Sequence, residues 1–118
     1  MAVVTLLATA ASILAVASPA QAVPCVSPSH GVNGEGAGYI NVYSATFRPA
    51  PYAECGASSY APSGTRVYYH CYVYNSYGNK WWWVRVAESS QSGWVYDGNI
   101  LDIRFDDNGD GWVSERGC

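Results

Sequence analysis

The sequence predicts an all-β fold stapled by disulfides, and three observations carry that prediction. Between Thr65 and Tyr96 lie three runs rich in aromatic and β-branched residues: Thr65–Tyr74, Lys80–Ala87 and Gly93–Tyr96. Two clusters of turn residues, Asn75–Asn79 and Ser89–Gly93, separate them, so the runs read as a meander of antiparallel strands. No segment shows a helical period, and four cysteines sit in a chain of 118 residues, one small domain at most. Short strands, regular turn signals and the lack of helices indicate a small barrel or sandwich.

Residues 1–22 are apolar and uncharged, with a run from Val3 to Ala17 and a small-residue end, Ala20-Gln21-Ala22. That is the pattern of a secretory signal peptide, although no Lys or Arg precedes the run. A membrane anchor is the alternative; the run is short for a span, and a proline-bearing loop follows. The mature protein is therefore expected to be soluble and secreted, either extracellular or cell-wall associated. All nine acidic and all six basic residues lie beyond residue 22, giving a charge of −3. That balance argues against nucleic acid and against anionic membrane surfaces as partners.

Residues 23–38 carry two prolines and four glycines and read as an irregular arm held by Cys25. Tyr39–Tyr43 alternates and predicts a first strand, which Thr46-Phe47-Arg48 extends or follows with a second. Residues 49–64, with three prolines and two glycines, read as a long loop centred on Cys55. In the next strand Thr65, Val67, Tyr69, Cys71 and Val73 share the face that holds the valines, the expected core face. By the same alternation Trp82, Val84 and Val86 point inward and leave Trp81 and Trp83 outward or lining a groove. Val95 then points one way and Trp94 and Tyr96 the other. Residues 102–118 form an acidic C-terminal extension.

Cys25, Cys55, Cys71 and Cys118 contain no C-x-x-C pair, which favours two disulfides over zinc. Three pairings are possible. The preferred one joins Cys55 to Cys71, tying the long loop to a core strand, and Cys25 to Cys118, stapling the two ends.

Several short motifs in order resemble the bacterial SH3-like (SH3b) family, in its small secreted actinobacterial type. Phe47-Arg48 stands at that family's V-R, Pro51 at its proline and Pro62-Ser63-Gly64-Thr65-Arg66-Val67 at its P-x-G-x-x-V. A tryptophan strand and Gly93-Trp94-Val95 followed by Ile100 complete the series. Ala50 replaces the usual glycine. The resemblance covers residues 39–101 and implies a small SH3-like β-barrel with disulfide-stapled N- and C-terminal arms. It also implies binding of peptidoglycan or short peptides, and a cysteine pair at Cys55 and Cys71.

Three constellations bear on chemistry. The chain holds more aromatic rings than so small a barrel can bury. Tyr43, Tyr52, Tyr60, Tyr72, Tyr74, Trp81, Trp83, Trp94 and Tyr96 are therefore candidates for a ligand groove that stacks on sugars or prolines. The alternative is that these rings pack on one another and on the two arms. Asp106-Asp107-Asn108-Gly109-Asp110-Gly111 fits the front half of a calcium loop, with Asp106, Asn108 and Asp110 as oxygen donors. Its twelfth position is Gly117, not Glu, so the site would be weak; a polar turn is the alternative. His30 and His70 are the only histidines, no G-x-S-x-G or H-E-x-x-H occurs, and the cysteines are committed to disulfides. A non-catalytic binding module without a firm cofactor is expected, with peptidoglycan peptide or glycan as its ligand. The second reading is a module for a secreted protein partner, an inhibitor, toxin-like effector or adhesion element presenting the 49–64 loop. A third is a structural role with calcium in the tail.

Overall fold

A computed structural model describes residues 23–103, 109–110 and 115–118. The expected signal peptide therefore lies outside the described residues. Among the described residues seven strands occur in the order β1 (Ala37–Ile40), β2 (Ser44–Phe47), β3 (Ser59–Pro62), β4 (Arg66–Tyr74), β5 (Lys80–Val86), β6 (Ser92–Tyr96) and β7 (Ile100–Asp102). A single 3-10 turn, Asp97–Asn99, joins the last two. The fold is all-β with two disulfides.

Five strands form one antiparallel sheet in the order β6-β5-β4-β1-β7, and β2 and β3 form a separate hairpin. Arg48, just beyond β2, exchanges backbone hydrogen bonds with Trp94 of β6 at 2.9 and 3.0 Å, which joins the hairpin to the sheet. The predicted meander is β4, β5 and β6. β3 falls inside the stretch read as a loop. It is an edge strand in which Pro62 pairs with Ser44, so the missing N–H of proline leaves no ladder bond unmade. β1 begins two residues earlier than the alternation suggested, because Ala37 and Gly38 pair with Tyr68 and Val67.

The core contains Ile40, Ala45, Phe47, Val67, Tyr69, Trp82, Val84, Val95 and Ile100. Two glycines permit close approaches within it. A Cβ on Gly93 would meet the Phe47 Cβ at 2.9 Å, so this glycine lets β2 lie against β6. A Cβ on Gly38 would meet Ile100 Cγ2 at 2.4 Å and Tyr69 Oη at 2.8 Å.

The inward face of β4 differs from the simple alternation. Tyr69 pairs with Val84 but Cys71 pairs with Trp83, so His70 is an extra residue, a β-bulge. Residues directly opposite share a face. Beyond the bulge Tyr72 therefore joins Trp82 on the core side, while Cys71 turns away with Trp83. Tyr69 and Tyr72 both pack on the Trp82 ring, with centroids at 4.1 and 5.3 Å.

That turn changes the disulfides. Cys71 bonds Cys118, and Cys25 bonds Cys55, in place of the expected Cys55–Cys71 and Cys25–Cys118 pairs. The physical reason is the open edge of β4. β1 pairs only with residues 66–68, and the C-terminal residues take the vacant edge further along. Tyr72 N–H donates to the Arg116 carbonyl and Cys118 N–H to the Tyr72 carbonyl, both at 2.9 Å, which brings Cys118 to Cys71. Cys25 instead meets the 49–64 segment, where Ala50, Tyr52 and Cys55 form a small second cluster against Val23.

Non-reducing peptide mapping is expected to return Cys25–Cys55 and Cys71–Cys118; a Cys55–Cys71 peptide would refute the seating of the tail on β4. Removal of either bridge is expected to cost about 2–5 kcal/mol. Gly38→Ala is expected to lower the unfolding free energy by about 1–3 kcal/mol in a urea titration. Gly31→Ala, where an added Cβ meets nothing within 4 Å, serves as the neutral control.

Candidate functional site

Ala45 and Phe47 of β2 face the core, so Ser44, Thr46 and then Arg48 turn the other way. On β5, Trp82 and Val84 face the core and Trp81 turns outward, opposite its cross-strand partner Tyr96. Between these two surfaces lies a cavity of about 290 Å³, close to the lower bound of small-ligand clefts. Asn79 from the β4–β5 turn, Asn99 from the 3-10 turn and Ala53 complete its wall.

The lining is held by local bonds. Arg48 Nη1 donates to the Gly56 carbonyl at 2.9 Å. Asn79 N–H donates to Asn75 Oδ1, and the Asn99 carbonyl accepts from Asn41 N–H at 3.0 Å. The Trp81 and Tyr96 rings are 5.6 Å apart and inclined at 56°. Tyr96 lies over Gly98, where even a methyl group would collide with its ring. Trp81 is 4 % exposed, and its covered Nε1 makes no hydrogen bond among the described residues. A buried unpaired donor costs about 1–3 kcal/mol. Tyr60, 63 % exposed, pairs with Thr46 across the hairpin and shares its face.

The nine candidate rings thus divide. Trp81, Tyr96 and Tyr60 belong to the cavity and its flank. Trp83 lies beneath the N-terminal arm, with the His30 ring stacked on it at 3.7 Å and 17°. Trp94, fully buried, is 5.5 Å from Trp83 and donates from Nε1 to Ser27 Oγ at 2.9 Å. Tyr72 and Tyr74 lie edge to face at the other end of β4, where the Lys80 ammonium sits 4.5 Å over Tyr72 and 4.6 Å over Trp82. Tyr52 meets Tyr77 and exchanges hydrogen bonds with Ser76 at 3.1 Å, bracing the 49–56 segment against the β4–β5 turn. Tyr43 is 94 % exposed. Trp83 and Trp94 thus meet the N-terminal arm, whereas the Tyr72 ring meets Tyr74, Trp82 and Lys80.

Sequence reasoning missed Ser44, Thr46, Arg48, Asn79 and Asn99. The alternation Ser44-Ala45-Thr46-Phe47-Arg48 was the available signal, since it opposes three polar residues to two apolar ones.

Among the titratable groups, Tyr69 is pushed far above its ordinary pKa by burial and by the hydrogen bond its hydroxyl donates to Asp102. Tyr52 is lowered by its hydrogen bonds with Ser76. His70, the bulge residue, is lowered by burial first, then by the nearby charges of Arg85 and His30. Its carbonyl accepts from Gly34 N–H of the arm.

Of the proposed calcium donors, Asp106 and Asn108 lie outside the described residues, and Asp110 is exposed. No cluster of potential metal ligands occurs among the described residues. No protein-family model, curated protein or solved structure matches the chain.

Unfolded His70 takes up its proton near pH 6.5, and the folded side chain does so only at lower pH. Unfolding is therefore favoured as the pH falls through that window. The melting temperature is expected to fall between about pH 7.5 and 5.5, and His70→Gln to flatten part of that slope. An unchanged slope in the variant would remove His70 as its source.

Proposed function

We propose that this chain is a secreted, non-catalytic binding module built on a small SH3-like barrel. Its cavity takes a short peptide or glycan segment of peptidoglycan. The observation that carries the reading is the meeting of an aromatic pair, Trp81 and Tyr96, with the polar side chains of Ser44, Thr46, Arg48, Asn79 and Asn99 in one cavity. Aromatic faces stack on sugars and peptide groups, and a few polar groups fix orientation.

The strand order supports the barrel. β7 returns beside β1, and β2 reaches β6 through Arg48, so the strands wrap one core from both sides. The two disulfides are compatible with an extracellular setting. Both histidines have structural places, one stacked on Trp83 and one in the bulge, which supports binding without catalysis.

One observation favours the second reading, a protein partner held by the 49–64 segment. Cys25–Cys55, Arg48–Gly56 and Tyr52–Ser76 brace that segment from three sides while Glu54, Gly56, Ala57 and Ser58 stay exposed.

Co-sedimentation with purified peptidoglycan sacculi separates the two. The oxidised protein without residues 1–22 is expected to be retained. Tyr96→Ala should weaken retention by about tenfold and Tyr74→Ala should leave it unchanged. Retention of Tyr96→Ala at the parental level would move the site off the cavity. No retention of the parent would overturn the wall reading in favour of the braced segment.

A further inference from the structure

The wall of the cavity carries a charge as well as aromatic rings. Arg48 is the one charged side chain among the described residues that line it, and it is cationic in a protein of net charge −3. Its position is set twice. The backbone exchanges hydrogen bonds with Trp94, and Nη1 donates to the Gly56 carbonyl, which uses one of five guanidinium donors. Among the described residues no carboxylate forms an ion pair with it; the one ion pair joins Lys80 to Glu115.

Neither Asp97, which accepts from Trp82 Nε1 at 2.7 Å, nor Glu54 is among the residues that line the cavity. Asn79 and Asn99 add amide groups to the wall. Trp81, more than nine-tenths buried, contributes an apolar wall, and its indole N–H is itself covered. A fixed cation among polar residues in a partly enclosed site asks for an anionic acceptor. A planar guanidinium matches a carboxylate in geometry as well as in charge.

We propose that the cavity takes a carboxylate, held by the Arg48 guanidinium against the Trp81–Tyr96 wall. This rests on the binding reading above and names the group that is bound. A peptide stem bears carboxylates and a neutral glycan does not, so the stem is the part of peptidoglycan that enters.

The test uses the oxidised protein without residues 1–22 and two matched probes, N-acetyl-alanyl-alanine as the free acid and as its C-terminal amide. Binding is followed by the NMR shift of the Trp81 indole N–H, and sacculi are assayed in parallel before and after amidation of their carboxyl groups. The acid is expected to shift the Trp81 signal saturably, the amide to bind about tenfold more weakly, and amidated sacculi to lose the protein. Arg48→Gln should abolish the difference between acid and amide, and Arg48→Lys should keep part of it. Equal binding of acid and amide by the parent, or no response to either, overturns the carboxylate. If sacculi are retained regardless of amidation, the wall reading stands and this inference falls. If the acid binds selectively while sacculi are not retained, the inference stands and the wall reading falls.

Discussion

β4 carries one residue more than its partner strand can match, and His70 is that residue. Before the bulge Val67 and Tyr69 face the core; after it Tyr72 does, and Cys71 is turned to the opposite side. Trp82 can therefore be clamped by Tyr69 and Tyr72 together, while its Nε1 reaches Asp97 in the 3-10 turn. Without the extra residue Cys71 would point into the core and have no route to Cys118. One inserted residue thus sets the composition of the core and the partner of a cysteine.

The two arms complete what the bulge begins. Turning Cys71 and Trp83 outward leaves apolar surface on the far side of β4 and β5, and a small domain has little margin to leave such surface wet. The N-terminal arm covers it with His30 on Trp83 and Ser27 on Trp94. The tail covers the free edge at Tyr72. Among the described residues outside β1 and β7, neither arm forms a helix or a strand of the sheet, and only the Tyr72–Gly117 bridge ties the tail to β4 by backbone bonds. A disulfide in each supplies about 2–5 kcal/mol, comparable with a large share of the stability of a domain this size.

The meander was legible because its three runs are rich in aromatic and β-branched residues and the turns between them are rich in Asn, Ser and Gly. The bulge was not, since an inserted residue has no compositional mark, and the β4 faces assigned beyond His70, with Cys71 and Val73 inward, inherited that error. The cysteine pairing followed from the same miss, because it depends on which side Cys71 takes. β3 was hidden by Pro62, which a central strand would exclude and an edge strand accepts. At the cavity, Trp81 and Tyr96 stood out by type. Arg48, Ser44 and Thr46 became visible only once the join between β2 and β6 set their face.

The same covering narrows where a ligand can sit. An aromatic surface open along its length would have offered Trp81, Trp83, Trp94 and Tyr96 as one platform, since they are cross-strand pairs on the same face of β5 and β6. His30 and Ser27 close the Trp83–Trp94 half of that platform. The Trp81–Tyr96 half lies beyond them and keeps its cavity, because Arg48, Asn79 and Asn99 stand around it with polar side chains. Trp81 and Tyr96 thus share their cavity with one cation, Arg48, for which no described carboxylate forms an ion pair.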